Sequence, residues 1–188
     1  MWNNMEQFDE NRVYKEGYKQ FDRDKSGDLH PLFVNTKLVI PTGVWLRAEE
    51  GPQNENGKVI SKLGPLSYRP GWHLSEAPYA PHIGIKENGK VKYMKPNTVW
   101  TRCKIYDEID YTFQAERNGW KNGKFSAQRA CLHTIPKYGY YEYNTNPNAY
   151  GTWYIAEWIM VEEILSDEQV ENICWYEFGI HAQPRKVG

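Results

Sequence analysis

The sequence predicts an α+β fold with a mixed or mainly antiparallel sheet, an N-terminal helix and a C-terminal helix. Three observations lead to this prediction. The chain has 188 residues, the size of one domain with a substantial core. Several segments alternate apolar and polar residues with the period of a strand, and helix start and stop signals occur together near the C-terminus. We therefore divide the chain into an N-terminal helical extension, residues 1–26, and a single α+β domain, residues 27–188.

The N-terminal helix is predicted from apolar residues that recur between Trp2 and Phe21 among charged ones. Their spacing is roughly helical, and Gly17 interrupts the stripe. The stripe consists of Met5, Phe8, Val13, Tyr14, Tyr18 and Phe21. A turn-rich segment over residues 22–28 follows this helix.

Strand-forming segments come next along the chain. Pro31–Val34 and Thr42–Arg47 indicate two short strands broken near Pro41. Residues 49–62 offer almost nothing to bury and predict an exposed loop, and the prolines of residues 63–84 exclude long regular structure there. The rest of the predicted sheet comes from 98–105, 139–143 and 152–164.

Helices are predicted in three further places. Residues 111–117 and 125–132 form two short helices in this interpretation, separated by the Asn118-Gly119 and Asn122-Gly123 turns. The strongest local signal is Ser166, which caps a first turn and forms a capping box with Gln169. The C-terminal helix is thus predicted over 167–178, and Gly179 ends it.

The charge and composition of the chain limit the classes of partner and the cellular location that we expect. The formal charge is −1, so no global field attracts nucleic acid or an anionic membrane. Three widely spaced cysteines indicate reduced thiols rather than a disulfide framework. The N-terminus has no secretory pattern, and no apolar run reaches the length of a membrane span. We expect a soluble cytoplasmic protein, whose aromatic fraction of 15% is its most unusual property.

A segment resembling half of a calcium-binding loop occurs at residues 21–29. Asp22, Asp24 and Ser26 supply oxygen atoms and Gly27 supplies a turn. Phe33 stands where such a loop needs a bidentate glutamate, and Pro31 obstructs the helix that would follow. A polar turn is the favoured interpretation, and we assign no metal site.

The proline-rich loop contains the main candidate site. His73 and Ser75 alternate along a predicted strand and therefore point to the same face. The aromatic and basic residues around them are candidate binding groups: Tyr68, Arg69, Trp72 and Tyr79. The alternative interpretation makes Trp72 and Tyr79 core rings and gives His73 a buried carbonyl as its partner.

Arg47 and the late carboxylate Glu157 extend this candidate site. An Arg on one strand, a His or Ser on the next and a late glutamate loosely resemble the arrangement of ADP-ribosyltransferases. There the glutamate stabilises a developing oxocarbenium charge. His73, Ser75, Arg47 and Glu157 are the catalytic candidates of this hypothesis, and NAD is its cofactor. Without it, no cofactor is expected, and Arg47 and Glu157 are ordinary solvated residues.

Five segments carry a further resemblance. They are 27–34, 40–46, Lys62–Leu66 running into Arg69–His73, Val99–Trp100, and 136–147 with Gly139-Tyr140-Tyr141 and Thr145-Asn146-Pro147. Together they resemble an uncharacterised domain of bacteriophage and mobile-element proteins, including the large polyvalent ones. The resemblance implies a phage origin and action in the cytoplasm of the bacterial host. It brings no activity and no functional residue, but its pattern uses Gly27 and Leu29 to enter a strand.

Two function hypotheses follow. In the first, the chain is a non-catalytic phage protein that binds a host or phage macromolecule, as a defence inhibitor or a virion-associated part, through exposed Trp and Tyr anchors. In the second, it is a nucleotide-handling enzyme, most concretely an ADP-ribosyltransferase. A binder requires a contiguous exposed aromatic patch, whereas an enzyme requires a concave site with a perturbed ionisable group.

Overall fold

The computed structural model describes residues 12–144 and 148–187. Within these ranges the helices are α1 (Thr112–Gly119) and α2 (Asp167–Phe178), and a single 3-10 turn covers Ala127–Arg129. The strands are β1 (Lys15–Arg23), β2 (Leu29–Pro31), β3 (Trp45–Arg47), β4 (Trp72–Ser75), β5 (Ile85–Glu87), β6 (Lys90–Tyr93), β7 (Thr98–Ile105), β8 (Ile109–Asp110), β9 (Trp120–Lys121), β10 (Lys124–Phe125), β11 (Gly139–Tyr143), β12 (Trp153–Ala156) and β13 (Trp158–Ile164).

One nine-stranded sheet organises the molecule. Its strand order is β3-β13-β7-β1-β4-β12-β11-β8, and β2 pairs with β1 beside this path. The described pairs are antiparallel except β8 with β11, which is parallel. Two small hairpins, β5–β6 and β9–β10, stand outside the sheet. The predicted α+β class with a largely antiparallel sheet is confirmed.

The predicted N-terminal helix is wrong over Lys15–Arg23, because these residues form β1 in the middle of the sheet. β1 pairs with β7 along eight positions, from Lys15 opposite Ile105 to Asp22 opposite Thr98. Both faces of β1 are covered, with Gly17 and Phe21 buried on one side and Tyr18 and Gln20 on the other. The part of the predicted helix before residue 12 lies outside the described residues. The boundary drawn after residue 26 separates β1 from its partner β2.

The predicted C-terminal helix is confirmed as α2, with both of its end signals. The Ser166 hydroxyl accepts from the Gln169 backbone N–H at 3.1 Å, and the Ser166 N–H donates to the Gln169 side chain at 2.8 Å. Gly179 adopts the left-handed conformation at φ 67° and ends the helix. Val170 and Ile173 bury the inner face of α2 in a cluster with Tyr18 and Trp100, on one face of the sheet.

The opposite face of the sheet carries the largest core cluster. It is built around Phe21, Leu46, Leu74, Cys103 and Ile159 and is closed by Leu29 and Ile40 from the segment after β1. A third cluster holds α1 against the far strands through Ala115, Cys131, Tyr141 and Ile155. The sheet is therefore buried on both faces, which is why the central strand β1 lacks a clean polar alternation.

The shorter predicted elements agree in part. The helix predicted at 111–117 is α1, and the strand predicted at 98–105 is β7. The helix predicted at 125–132 is wrong: this segment begins with the last residue of β10 and continues into a 3-10 turn. Segment 152–164 is two strands, β12 and β13, separated at Glu157. No helix of the described ranges is long and apolar enough to span a bilayer.

Candidate functional site

A cavity of about 720 Å³ lies where β1 and β4 separate. The two strands pair at one position, Tyr18 opposite Ser75. Beyond it β1 continues along β7, while β4 continues along β12. The separation leaves an opening in the sheet that contains Lys19 and Gln20 of β1 and His73 of β4. A concave space of this size is large enough for a small-molecule ligand.

Charge around the cavity is strongly asymmetric. Among the described residues that line it, five are Lys or Arg and one, Glu49, carries a carboxylate. One of the five, Arg47, forms an ion pair with Glu157, which does not line the cavity. The basic residues are Lys19, Arg47, Arg69, Lys86 and Lys95. An excess of cations in a concave site attracts anions and concentrates them. The chain as a whole has a formal charge of −1, so this positive charge is a local property.

Aromatic rings form much of the remaining wall. These rings belong to several strands and loops and lie on both faces of the sheet. They are Tyr18, Phe33, Tyr68, Trp72, Trp100, Tyr143 and Trp153. Trp72 is 9% exposed, and its indole N–H donates to the Leu46 carbonyl oxygen at 3.0 Å, so its ring is fixed. Rings held in this way offer flat apolar surface at little entropic cost. The wall is suited to a planar ligand.

Lys19 places an amine in this opening that has no ionic partner among the described residues. Its Nζ donates to the His73 carbonyl oxygen at 2.8 Å and lies 5.6 and 5.7 Å from the ring centroids of Phe21 and Trp72. No carboxylate of the described residues lies within 4 Å of it. Burial lowers the pKa of Lys19 to about 8. The amine therefore has unused donors directed to a poorly solvated space.

His73 is held on both ring nitrogens. Nε2 lies 2.9 Å from the Arg69 carbonyl oxygen, and Nδ1 lies 3.1 Å from the Tyr143 hydroxyl. Because a carbonyl accepts only, Nε2 carries the proton and Nδ1 accepts from Tyr143. Burial lowers the pKa of His73 to about 4, against the opposing effect of the Arg69 carbonyl. His73 is therefore a neutral, oriented group whose lone pair is already occupied.

Gln20 has a buried amide with no hydrogen-bond partner among the described residues. The side chain is 6% exposed, lines the cavity, and both its Oε1 and its Nε2 are unpaired. A buried unpaired amide costs about 1–3 kcal/mol per unsatisfied group. Groups of this kind in a cavity are the ones that a ligand satisfies. His82 also lines the cavity with its Nδ1 unpaired, and burial lowers its pKa.

Of the predicted catalytic residues, the structure brings His73 and Arg47 to the cavity. Ser75 is fully buried and does not line it, and its hydroxyl donates to the Ala77 carbonyl oxygen. Glu157 also does not line the cavity. Its Oε1 accepts from Arg47 Nε at 2.9 Å and its Oε2 accepts from the Tyr138 backbone N–H. Both carboxylate oxygens of Glu157 thus support the chain around β3 and β11.

Three of the four predicted binding residues line the cavity: Tyr68, Arg69 and Trp72. Arg69 also donates to the Gln128 carbonyl oxygen at 3.3 Å, which connects the cavity to the segment after β10. Tyr79 lies apart from them and packs edge-to-face on Tyr150 at 5.4 Å. It belongs to the cluster beneath α2.

The calcium-like segment forms a polar turn that leads from β1 into β2. Asp24 Oδ1 accepts from the backbone N–H groups of Ser26 and Asp28, at 2.8 and 3.0 Å. Its other oxygen lies 3.2 Å from His30 Nε2. In the described ranges, no three His, Cys, Asp or Glu residues are grouped to hold a metal ion. The Asp24 carboxylate, which is the most central one of the calcium-like segment, thus stabilises the turn through these contacts.

Sequence reasoning missed Lys19 and Gln20, which it assigned to a helix. No local signal identified them, because the doublets that are buried in β1, Gly17-Tyr18 and Gln20-Phe21, also have the spacing of an amphipathic helix. A strand covered on both faces has such doublets. Trp100 and Tyr143 were placed on predicted strands but were not connected with the loop at His73.

Comparisons of the chain with protein-family models, with curated proteins and with solved structures find no match. The resemblance to a domain of bacteriophage proteins stays a prediction. The site is therefore interpreted from its own chemistry.

Proposed function

We propose that this protein binds an anionic small molecule that contains a planar ring, most concretely a nucleotide, in the cavity between β1 and β4. The observation that carries the proposal is the combination of five basic side chains with one carboxylate around a cavity walled by aromatic rings. Cations bind phosphate oxygen atoms, and fixed rings stack on a base. Neither the basic side chains nor the aromatic wall alone selects a nucleotide. Together they match its two parts, the phosphate groups and the base.

Two side chains of β1, the half-buried Lys19 and the buried Gln20, give this ligand a defined orientation. The Lys19 amine has donors free in a poorly solvated space, where a charge-assisted hydrogen bond to a phosphate is strong. The Gln20 amide offers one donor and one acceptor side by side, the pattern that the edge of an adenine base complements. Ligand binding would thus satisfy the groups that the free protein leaves unpaired.

His73 supports this site as a positioning residue. Its Nδ1 lone pair is occupied by Tyr143, so it is not free to accept a proton from a ligand. Through its backbone carbonyl, which accepts from Lys19, it holds the amine in the opening. The proposal is therefore a binding function in which Lys19 and Gln20 contact the ligand.

Isothermal titration at neutral pH with ATP, NAD, adenosine and tripolyphosphate tests the proposal. We expect ATP or NAD to bind, and adenosine and tripolyphosphate to bind at least about 10-fold more weakly because each lacks half of the ligand. Lys19→Met and Gln20→Met should each weaken nucleotide binding about 10-fold or more. Lys58→Met, in an exposed loop, is the matched control and should bind as wild type. Failure of every nucleotide to bind tighter than about 1 mM contradicts the proposal.

The ADP-ribosyltransferase hypothesis is a narrower version of this function. It additionally needs Glu157 near the sugar of NAD, whereas Glu157 bonds Arg47 and the Tyr138 N–H. It is tested with NAD labelled in the adenine, bacterial lysate, and the His73→Ala and Arg47→Ala variants. Label transfer that depends on both residues would favour it. Nucleotide binding without transfer would leave only the binding function.

Binding of a host or phage protein is a second candidate function. Two exposed rings on the outer face of α2 favour it: Trp175 is 49% and Tyr176 80% exposed, and Trp175 stacks on His181 at 4.8 Å. Trp and Tyr are the residues that most often anchor protein interfaces. Proteins from a bacterial extract that wild type retains and a Trp175→Ala/Tyr176→Ala variant loses would support this function. Equal retention by both would exclude this face.

A further inference from the structure

The β9–β10 hairpin fixes two aromatic rings on the surface. Asn122 and Gly123 form its two-residue turn with φ of 52° and 70°, which matches the type I′ geometry that closes tight hairpins. Trp120 lies opposite Phe125 in the register, and their ring centroids are 5.4 Å apart. Arg129 donates to the carbonyl oxygens of Gly119 and Lys124, both at 3.1 Å. The hairpin is thus held in one orientation.

The rings of this surface are unusually accessible. Trp120 is 60% exposed and Phe125 49%, and Phe113 of the neighbouring helix α1 is 72% exposed. Phe125 also packs closely on Gly119, where an added Cβ would lie 2.5 Å from its ring. Exposed apolar rings that adjoin one another are typical of interaction sites.

Cations that have no carboxylate partner in the described part of the chain accompany these rings. Lys121 lies directly opposite Lys124 in the hairpin, and Arg117 lies over the Phe113 ring at 6.0 Å. Like charges directly opposite each other destabilise a hairpin. Between residues 112 and 130 the chain has four basic side chains and one acidic one, Glu116. No carboxylate of the described residues lies within 4 Å of either lysine. A polyanion would relieve this repulsion.

We propose that the β9–β10 hairpin, together with Phe113 and Arg117 of α1, binds single-stranded nucleic acid. Trp120 and Phe125 lie on one face of the hairpin and Lys121 and Lys124 on the other. The exposed rings stack on unpaired bases, while the lysines contact phosphates of the same strand where it passes around the hairpin. A duplex hides its bases from such rings. A membrane fits less well, because Lys121 and Lys124 flank the turn at the tip of the hairpin and would enter the bilayer ahead of Trp120 and Phe125. This site is separate from the cavity and does not depend on its ligand.

The test is a fluorescence-anisotropy titration of the full chain with a labelled thymidine strand of about 12 nucleotides, within the usual site size. We expect saturable binding that weakens with salt, with a slope of log K against log salt of roughly −1.4 to −2 for two to three phosphate contacts. Trp120→Ala should weaken binding about 10-fold, the loss expected for one stacked base. Lys121→Gln/Lys124→Gln should reduce the slope by about 1.4.

Two controls keep the result interpretable. Lys25→Gln/Lys58→Gln removes the same charge from exposed loops elsewhere and should bind as wild type. The hairpin lysine variant removes a like-charge pair, so its thermal midpoint should equal or exceed that of wild type. The proposal would be overturned if duplex and single strand bound equally well and Trp120→Ala had no effect. Binding would then depend on electrostatic attraction to phosphates alone. Binding to anionic phosphatidylserine vesicles without binding to the strand would also overturn it.

Discussion

The Tyr143 hydroxyl donates to Nδ1 of His73 at 3.1 Å, and the two rings pack edge-to-face at 5.6 Å. This hydrogen bond needs a neutral imidazole, since a protonated ring has no lone pair to accept it. Burial acts in the same direction and lowers the pKa of His73 to about 4. The pair therefore fixes both the charge and the tautomer of the histidine beside the cavity.

Stability should fall on acidification in a window set by His73. Its pKa is about 4 in the folded protein and 6.5 in its ordinary state. Between these values the unfolded chain binds the proton more readily, so the free energy of unfolding rises with pH. The contribution of His73 is complete above about pH 6.5 and lost below about pH 4. Urea unfolding between pH 4 and 7 measures it, and a His73→Asn variant should lose this part of the pH dependence.

Tyr143→Phe should raise the pKa of His73 towards its ordinary value. The change removes the donor that favours the neutral ring and leaves the ring packing in place. NMR titration of the His73 ring signals is the direct measurement. Tyr79→Phe removes a hydroxyl at a ring that packs on Tyr150 instead, and should not move the His73 titration. An unchanged titration in Tyr143→Phe would contradict the assigned tautomer.

Lys19→Met should make the protein more stable and less able to bind the proposed nucleotide. Burial lowers the pKa of Lys19 from 10.5 to about 8, so at neutral pH the folded protein carries a poorly solvated charge. Methionine fills similar volume without that charge. Because the wild type gains stability as pH rises from about 8 to 10.5, the advantage of the variant should shrink over this range. Thermal midpoints at pH 7 and pH 10 test both statements, and a variant less stable at pH 7 contradicts them.

Glu157→Gln should lower stability by about 1–3 kcal/mol without weakening nucleotide binding. The carboxylate is 3% exposed and accepts from Arg47 and from the Tyr138 backbone N–H. Glutamine keeps one acceptor and turns a donor towards the other N–H. Arg47→Ala should cost less stability, because its side chain is 60% exposed. Chemical denaturation and the nucleotide titration together separate this structural role from a catalytic one.

The capped helix and β7 were predictable because their signals are local. Ser166 and Gln169 lie three residues apart and specify the start of α2 whatever the rest of the chain does. β7 alternates regularly enough to show its period. β1 was assigned to a helix because its buried doublets, Gly17-Tyr18 and Gln20-Phe21, fall at spacings that an amphipathic helix also has. Only burial on both faces of the sheet distinguishes the two patterns.

The sequence predicted the residues that line one side of the cavity, the side formed by the proline-rich loop and β4. Tyr68, Arg69, Trp72 and His73 stand together in a proline-rich loop, where rings without regular structure indicate a site. Lys19 and Gln20 join them from a strand about fifty residues earlier, and only the pairing of Tyr18 with Ser75 brings the two segments together. No local pattern contains that long-range register.

Gly71 lines the cavity and immediately precedes β4. Gly71→Ala should lower the free energy of unfolding by about 2–4 kcal/mol. Its φ is 136°, and an added Cβ would lie 2.4 Å from Ile155 Cγ2 and 3.1 Å from the Ala156 carbonyl oxygen. Gly57 also has a positive φ, 68°, but nothing lies within 4 Å of its Cβ position. Gly57→Ala should therefore cost about 1–2 kcal/mol from backbone strain alone. Chemical denaturation of both variants isolates the contact with β12; equal losses would mean that Gly71 is needed for its backbone conformation only.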